Sequence, residues 1–367
     1  MLYHFLAPLA GHHIVFNLFR YITFRAAGGM VTALVLSFLF GPVIIRGLRA
    51  LRVGQVVRTM GPAHGGKAGT PTMGGVLILA ATTVSTVLWA DLSNRYVQIV
   101  LAVFLGMGLL GFLDDYLKVV SHRTEGLVAR YKLLGQGSIG VLVGVVLLVR
   151  PISPMPQTWT MVPFFADYHL AIWVPLFVPW VILVLAGSSN AVNLTDGLDG
   201  LAAGLAAIVA ATFSVFGYVI GRVDTSAYLG FFYLPGAGEL SIFCVALAGA
   251  ALGFLWFNAH PAEVFMGDTG SLALGGAIGA AALLLKLEFL LVIVGGVFVA
   301  EAVSVMTQVG YYKFTARRYG AGRRIFRMAP LHHHFEQLGW PESKVIIRFW
   351  ILGVLCALFA FSTLKIR

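Results

Sequence analysis

The chain has 367 residues, of which 59% are hydrophobic and 11% are Asp, Glu, Lys or Arg; a soluble globular domain carries roughly 25% charged residues, so a soluble enzyme is excluded. Gly is frequent at 43, which suits close helix packing in lipid, and the two cysteines, Cys244 and Cys356, lie in apolar runs, so neither a disulfide framework nor a Cys-based metal site is expected. The net charge of +10, from 25 basic and 15 acidic residues, would suggest nucleic acid in a soluble protein; in a membrane protein it is read by position, and no nucleic-acid partner is expected.

A membrane helix takes about 20 apolar residues. Runs of that length are read at 27–45, 74–90, 96–113, 133–149, 170–187, 201–220, 239–257, 270–285, 289–312 and 345–364. Ten spans predict an all-α, polytopic integral membrane protein in the lipid bilayer, with one domain over 1–367. Residues 1–26 lack the basic start and cleavage pattern of a signal peptide and are read as an interfacial segment leading into the first span. With the amino terminus outside, the inner loops hold sixteen of the 25 basic residues, so the positive-inside rule places both termini outside.

The same orientation gathers Asp114, Asp115, Asp196, Asp199 and Asp268 at inner ends of spans or in short inner turns. The outer loops, 150–170 and 220–238, are bland by comparison. Chemistry is therefore expected on the cytoplasmic face. No sequence repeat suggests the paired halves common in transporters.

Five clusters could carry that chemistry. GKAGTPTMGG, residues 66–75, combines a Gly-rich turn with Lys67, Thr70 and Thr72 at the mouth of span two; such backbone amides suit phosphate oxygens, although a flexible loop would look the same. FLDDYLK puts Asp114 and Asp115 where span three would stop. Adjacent helical residues diverge by about 100°, so one of the pair faces a ligand and the other supports it, and the sequence leaves open which. NLTDGLDGLA, residues 193–202, sets Asn193, Asp196 and Asp199 on a Gly-punctuated turn into span six; helix capping accounts for one of them. NAHPAEVFMGDTGS, residues 258–271, carries Asn258, His260, Glu263 and Asp268. Carboxylates and amides without Cys specify a hard cation such as Mg²⁺ or Mn²⁺. RRIFRMAPLHHHFE, residues 323–336, offers Arg323, Arg324, Arg327 and His332, His333 and His334. Consecutive histidines do not converge on one metal from a helix, so bonding to phosphate or sugar oxygens is the better reading. Glu301, inside span nine, is left outside the site, since pairing with another helix explains it equally well.

Carboxylates, Gly turns, Lys and Arg on one aqueous face point to a site for phosphates and a divalent cation, and to phosphoryl transfer between a soluble phosphorylated donor and a lipid acceptor. The competing class is an ion or phosphate transporter, whose site would sit near mid-membrane.

GTPTMGG, FLDDYLK, NLTDGLDGLA, NAHPAEVFMGDTGSLALGG and APLHHHFE together resemble the motifs of the phospho-N-acetylmuramoyl-pentapeptide transferases (MraY type), in the polyprenyl-phosphate N-acetylhexosamine 1-phosphate transferase superfamily. The resemblance implies ten membrane helices around a cytoplasmic-side cleft, a location in the bacterial inner membrane, and commonly a homodimer. It implies transfer from UDP-N-acetylmuramoyl-pentapeptide to undecaprenyl phosphate, giving lipid I and UMP with Mg²⁺; the runner-up is a polyprenyl-phosphate GlcNAc-1-phosphate transferase. Carried over residue by residue, Asp268 resembles the Mg²⁺ ligand and Asp114 the catalytic carboxylate, with Asp115 beside it. Lys67, Thr72 and Lys118 resemble phosphate-site residues. Asn193, Asp196, Asn258 and Phe265 resemble the nucleoside side of the pocket, with Asp199 in the same substrate-binding turn. His333 resembles a catalytic histidine, flanked by His332 and His334. Direct attack by the lipid phosphate and a phosphoryl-enzyme on Asp both remain open, and the direct route is favoured because a phosphate monoester is already largely anionic.

Overall fold

A computed structural model describes residues 1–50, 69–120, 126–165 and 168–365. Lys67 lies outside these residues. The described chain is mainly helix.

Helix α1 (Leu2–Leu6) and two 3-10 turns, Ala7–Gly11 and Ile14–Arg20, precede the first long helix, with Phe5 and Ile14 exposed. Helix α2 (Ile22–Ala50) begins at Ile22 rather than at 27. The reason is Arg25, a charge that ends an apolar run in sequence but is 2% exposed here and paired with Glu239 at 2.8 and 2.6 Å. Helices α3 (Gly75–Trp89) and α4 (Arg95–Val120) follow. At 15 residues α3 is shorter than a typical span. Helix α4 runs past 113 to include both aspartates, because Lys118 reaches back one turn to Asp114.

After α5 (Ala129–Val149) the loop that is bland in sequence holds a short hairpin. Strands β1 (Trp159–Met161) and β2 (His169–Ala171) pair antiparallel, with Thr160 opposite Leu170. Lys286 pins this hairpin: its ammonium donates to the Gln157 carbonyl at 2.5 Å and its own carbonyl accepts from Met161 at 3.0 Å. Burial pushes the Lys286 ammonium down to about 8, against the opposing pull of Glu288.

Helix α6 (Val174–Thr195) lies further along than the predicted 170–187, since residues 170–171 belong to the hairpin. Helices α7 (Leu201–Ile220), α8 (Val223–Leu229), α9 (Glu239–Asn258) and α10 (Gly267–Leu284) come next. The predicted span at 289–312 is two helices, α11 (Glu288–Val294) and α12 (Gly296–Tyr319), bent by 87° at Gly295. Helices α13 (Leu331–Gln337) and α14 (Glu342–Ser362) close the chain.

Among the described residues, eight helices are long and apolar enough to cross a membrane, with a ninth if the bent pair is one span. The protein is an all-α polytopic membrane protein. Helices α7, α9 and α10 are buried nearly all round, whereas α2, α5 and α14 expose large apolar side chains such as Leu39, Leu142 and Phe359. The outer faces of these helices are lipid-facing surfaces, while the small-residue helix α10 packs against α4 and α6.

The Arg25–Glu239 pair ties α2 to α9 at the end of the bundle away from the aspartates. Glu239 also accepts the Asp91 N–H at 2.8 Å, while Arg25 donates to the Trp89 carbonyl at 3.3 Å. Removing one member strands a buried charge. Glu239→Ala is expected to destabilise the protein by about 3–5 kcal/mol, read as lost thermal stability in detergent, while Arg25→Met with Glu239→Leu recovers most of it. Equal losses in the single and double variants would contradict this account.

Candidate active site

The ends of six helices converge. Asp114 and Asp115 stand near the end of α4, Lys132 at the start of α5, Asn193 in the last turn of α6, and Asp268 in the first turn of α10. The ends of α7 and α9 flank them. Carboxylate oxygens of Asp114, Asp115 and Asp268 lie within 4.8 Å of one another.

The two adjacent aspartates have different surroundings. Asp115 accepts the N–H of Asp268 at 3.1 Å, and the N–H and hydroxyl of Thr269 at 2.9 and 2.7 Å. It therefore caps α10 from a neighbouring helix, satisfying amides that a helix start leaves orphaned. That approach needs a glycine on α4: a Cβ at Gly111 would stand 2.1 Å from the Asp268 carbonyl oxygen. Asp114 instead meets the Lys118 ammonium at 2.5 Å and accepts the Leu127 N–H at 2.6 Å.

Asp268 is the hub. Its Oδ2 takes Lys118 at 2.8 Å and Lys132 at 2.9 Å, and its Oδ1 accepts from Asn193 Nδ2 at 2.7 Å. Asn193 also donates to Ser271 at 2.8 Å, which fixes its amide. Three carboxylates and two ammoniums leave an excess negative charge.

The remaining motif residues spread outward from this hub. Residues 71–75 run alongside 265–266: Phe265 N–H donates to the Pro71 carbonyl at 2.8 Å, and Gly74 N–H to the Phe265 carbonyl at 2.9 Å. Thr72 and Phe265 are thereby half-buried beside Asp115 and Asp268. Asp196 is the C-cap of α6. Burial, and then the charges of Asp268, Asp115 and Asp199, push its carboxyl up to about 8.

Asp196 and Asp199 would share a face only if the helix had begun, but α7 starts at Leu201. Asp199 instead joins a second group, His260 at 3.1 Å and the Ala262 N–H at 3.2 Å, while its own N–H donates to Glu342 at 3.0 Å. Asn258 braces the same turn from below, accepting the Gly200 N–H at 3.0 Å and donating to the Val264 carbonyl at 2.8 Å. It is 2% exposed, and both its amide atoms are engaged with protein.

The three histidines lie on α13 and diverge. His332 is fully buried against Glu301, His333 meets Glu336 at 2.7 Å, and His334 accepts the Arg327 N–H at 3.1 Å. Among the described residues no hydrogen bond joins them to Asp114, Asp115 or Asp268.

Glycosyl transferase family 4 matches residues 97–286, and the signature of the phospho-N-acetylmuramoyl-pentapeptide-transferases matches residues 67–79. Relatives with that name are similar over the whole chain. One from Gemmatimonas aurantiaca is 59% identical over 381 residues, covering all of both chains. The chain belongs to the phospho-N-acetylmuramoyl-pentapeptide-transferase family. Similar relatives come from Pelobacter propionicus, 54% identical with full coverage of both chains, and Koribacter versatilis, 52% identical over 96% of this chain and 95% of that one.

The family's matched stretch runs from near the start of α4 through α10, the helices that build the hub. An all-oxygen donor set with excess negative charge fits a hard divalent cation and not a soft one. Sequence reasoning missed Lys132, which it counted only as a topology charge; a positive residue at the inner end of the next span after FLDDYLK was the signal available. It also left out Glu301, whose partner comes from a helix 31 residues away.

Proposed function

We propose that the protein transfers phospho-N-acetylmuramoyl-pentapeptide from its UDP-linked donor to undecaprenyl phosphate, giving lipid I and UMP, the first membrane step of peptidoglycan synthesis. The location is the bacterial inner membrane, with the site on its cytoplasmic face and both termini periplasmic. The observation that carries this reading is the bridging of Asp114 and Asp268 by Lys118 at the ends of membrane helices, where soluble and lipid phosphates can meet.

Asp268, with Asp114 across from it, would hold Mg²⁺. The bound ion supplies charge neutralisation on the donor pyrophosphate. Lys118 and Lys132, freed from the carboxylates, bind phosphate oxygens, and Asn193 orients Asp268. Asp115 keeps α10 in register. Asp114 takes the proton from an acceptor phosphate that still carries one. An acceptor oxygen then bonds to the sugar-linked phosphorus, the bond from that phosphorus to the bridging oxygen breaks, and the electron pair leaves with UMP. Asp196, Asp199, Phe265 and Thr72 line the donor side, and His333 stands at its edge.

The test is UMP release in detergent with UDP-N-acetylmuramoyl-pentapeptide or UDP-N-acetylglucosamine as donor and undecaprenyl phosphate as acceptor. Turnover with the first and not the second is expected. Turnover only with the second moves the protein to the GlcNAc-1-phosphate branch, and transport in vesicles without turnover overturns the enzyme reading.

A further inference from the structure

Glu301 is a carboxyl inside a membrane helix, fully buried, and it takes no part in the steps above. Ionisable groups in such positions persist where they are paired and useful. Its Oε1 receives two contacts from one residue: the His332 backbone N–H at 3.1 Å and His332 Nδ1 at 3.2 Å. That grip sets both the start of α13 and the plane of the imidazole. With Nδ1 held by the carboxylate, the opposite ring edge faces away, and Nε2 is buried without a protein partner.

That edge meets Gly197. A Cβ built on Gly197 would lie 2.3 Å from His332 Nε2, with Cε1 and Cδ2 at 3.0 and 3.3 Å. The two glycines of TDGLDG therefore serve different ends. Gly200 has φ +78 and is glycine for its backbone, whereas Gly197 is not among the positive-φ residues and is glycine because the imidazole occupies the side-chain space. The 196–200 turn is held at its far end by Asn258 and Glu342. At its near end it rests on the His332 ring.

We propose that Glu301 is a positioning residue for the donor site, fixing the His332 ring against Gly197 and so setting the turn that carries Asp196 and Asp199. This rests on the transferase reading above, in which that turn lines the donor pocket.

A double-mutant cycle between Glu301 and Gly197, which act on each other through His332, tests it. Glu301→Gln is expected to raise the KM for UDP-N-acetylmuramoyl-pentapeptide about tenfold, with kcat and the KM for undecaprenyl phosphate little changed. Gly197→Ala, which pushes on the ring, is expected to do the same. Together they should cost about tenfold and not a hundredfold, because a released ring can yield to the new methyl. His332→Ala should likewise relieve Gly197→Ala, a readout that survives if Glu301→Gln fails to fold. Multiplicative losses, or a Glu301→Gln defect confined to kcat or to the acceptor, overturn the proposal. If the wild type releases no UMP from this donor, the transferase reading fails by itself. UMP binding by calorimetry, wild type against Glu301→Gln, then reads the positioning role, and unchanged affinity rejects it.

Discussion

Asp268→Asn is expected to slow UMP release by about a thousandfold and to raise the Mg²⁺ concentration needed for half-maximal rate, because it removes the carboxylate on which Lys118, Lys132 and Asn193 converge. Asp115→Asn is expected to lose less activity, about tenfold, with nearly unchanged Mg²⁺ dependence. Its defect should show as stability instead. An amide can accept through its single oxygen, so part of the cap on Asp268 and Thr269 is lost, at a cost of about 1–2 kcal/mol. The measurements are initial rates across a Mg²⁺ titration and thermal unfolding in detergent. Equal Mg²⁺ dependence in the two variants would refute the division of labour between them.

Lys118→Met is the second large effect. The ammonium touches Asp114 and Asp268 together, at 2.5 and 2.8 Å, so its loss removes the cation between the two carboxylates and, in the proposed reaction, leaves the donor phosphates with one cationic partner fewer. A fall of about 10² to 10³ in kcat/KM is expected. Lys118→Arg should restore little, since a planar fork does not replace a compact point charge. Lys132→Met should cost less, about tenfold, because Lys132 reaches Asp268 at 2.9 Å but stands 4.0 Å from Asp114. Rates against donor concentration decide the order, and a Lys132 variant as impaired as the Lys118 variant would reverse the assignment.

Hydropathy located the membrane helices because lipid demands a long apolar run, and a run of that kind is visible without knowing its neighbours. It did not reveal the bend at Gly295, since residues 289–312 stay apolar across the break and a Gly pair inside a membrane helix is ordinary. The hairpin at 159–171 was hidden for a different reason: its strands are three residues long and are held by Lys286, more than a hundred residues on. The site divides in the same way. The aspartates were legible because carboxylates are rare in so apolar a chain. The roles of Asp114 and Asp115 were not, because adjacent positions on one helix are distinguished only by what packs on each side. Asn258 and His332, read in sequence as substrate contacts, also bond to protein groups, which no local pattern could announce.

The capping of α10 by Asp115 also orders events in time. Asp114, Asp115 and Lys118 are synthesised 150 residues before the Asp268 they must meet, and α10 has no side-chain cap of its own. A ribosome-bound chain that has inserted only its first four helices holds half a charge cluster and no cation site. On the proposed function, the divalent-ion site would therefore be complete only once α10 docks on α4, late in biogenesis.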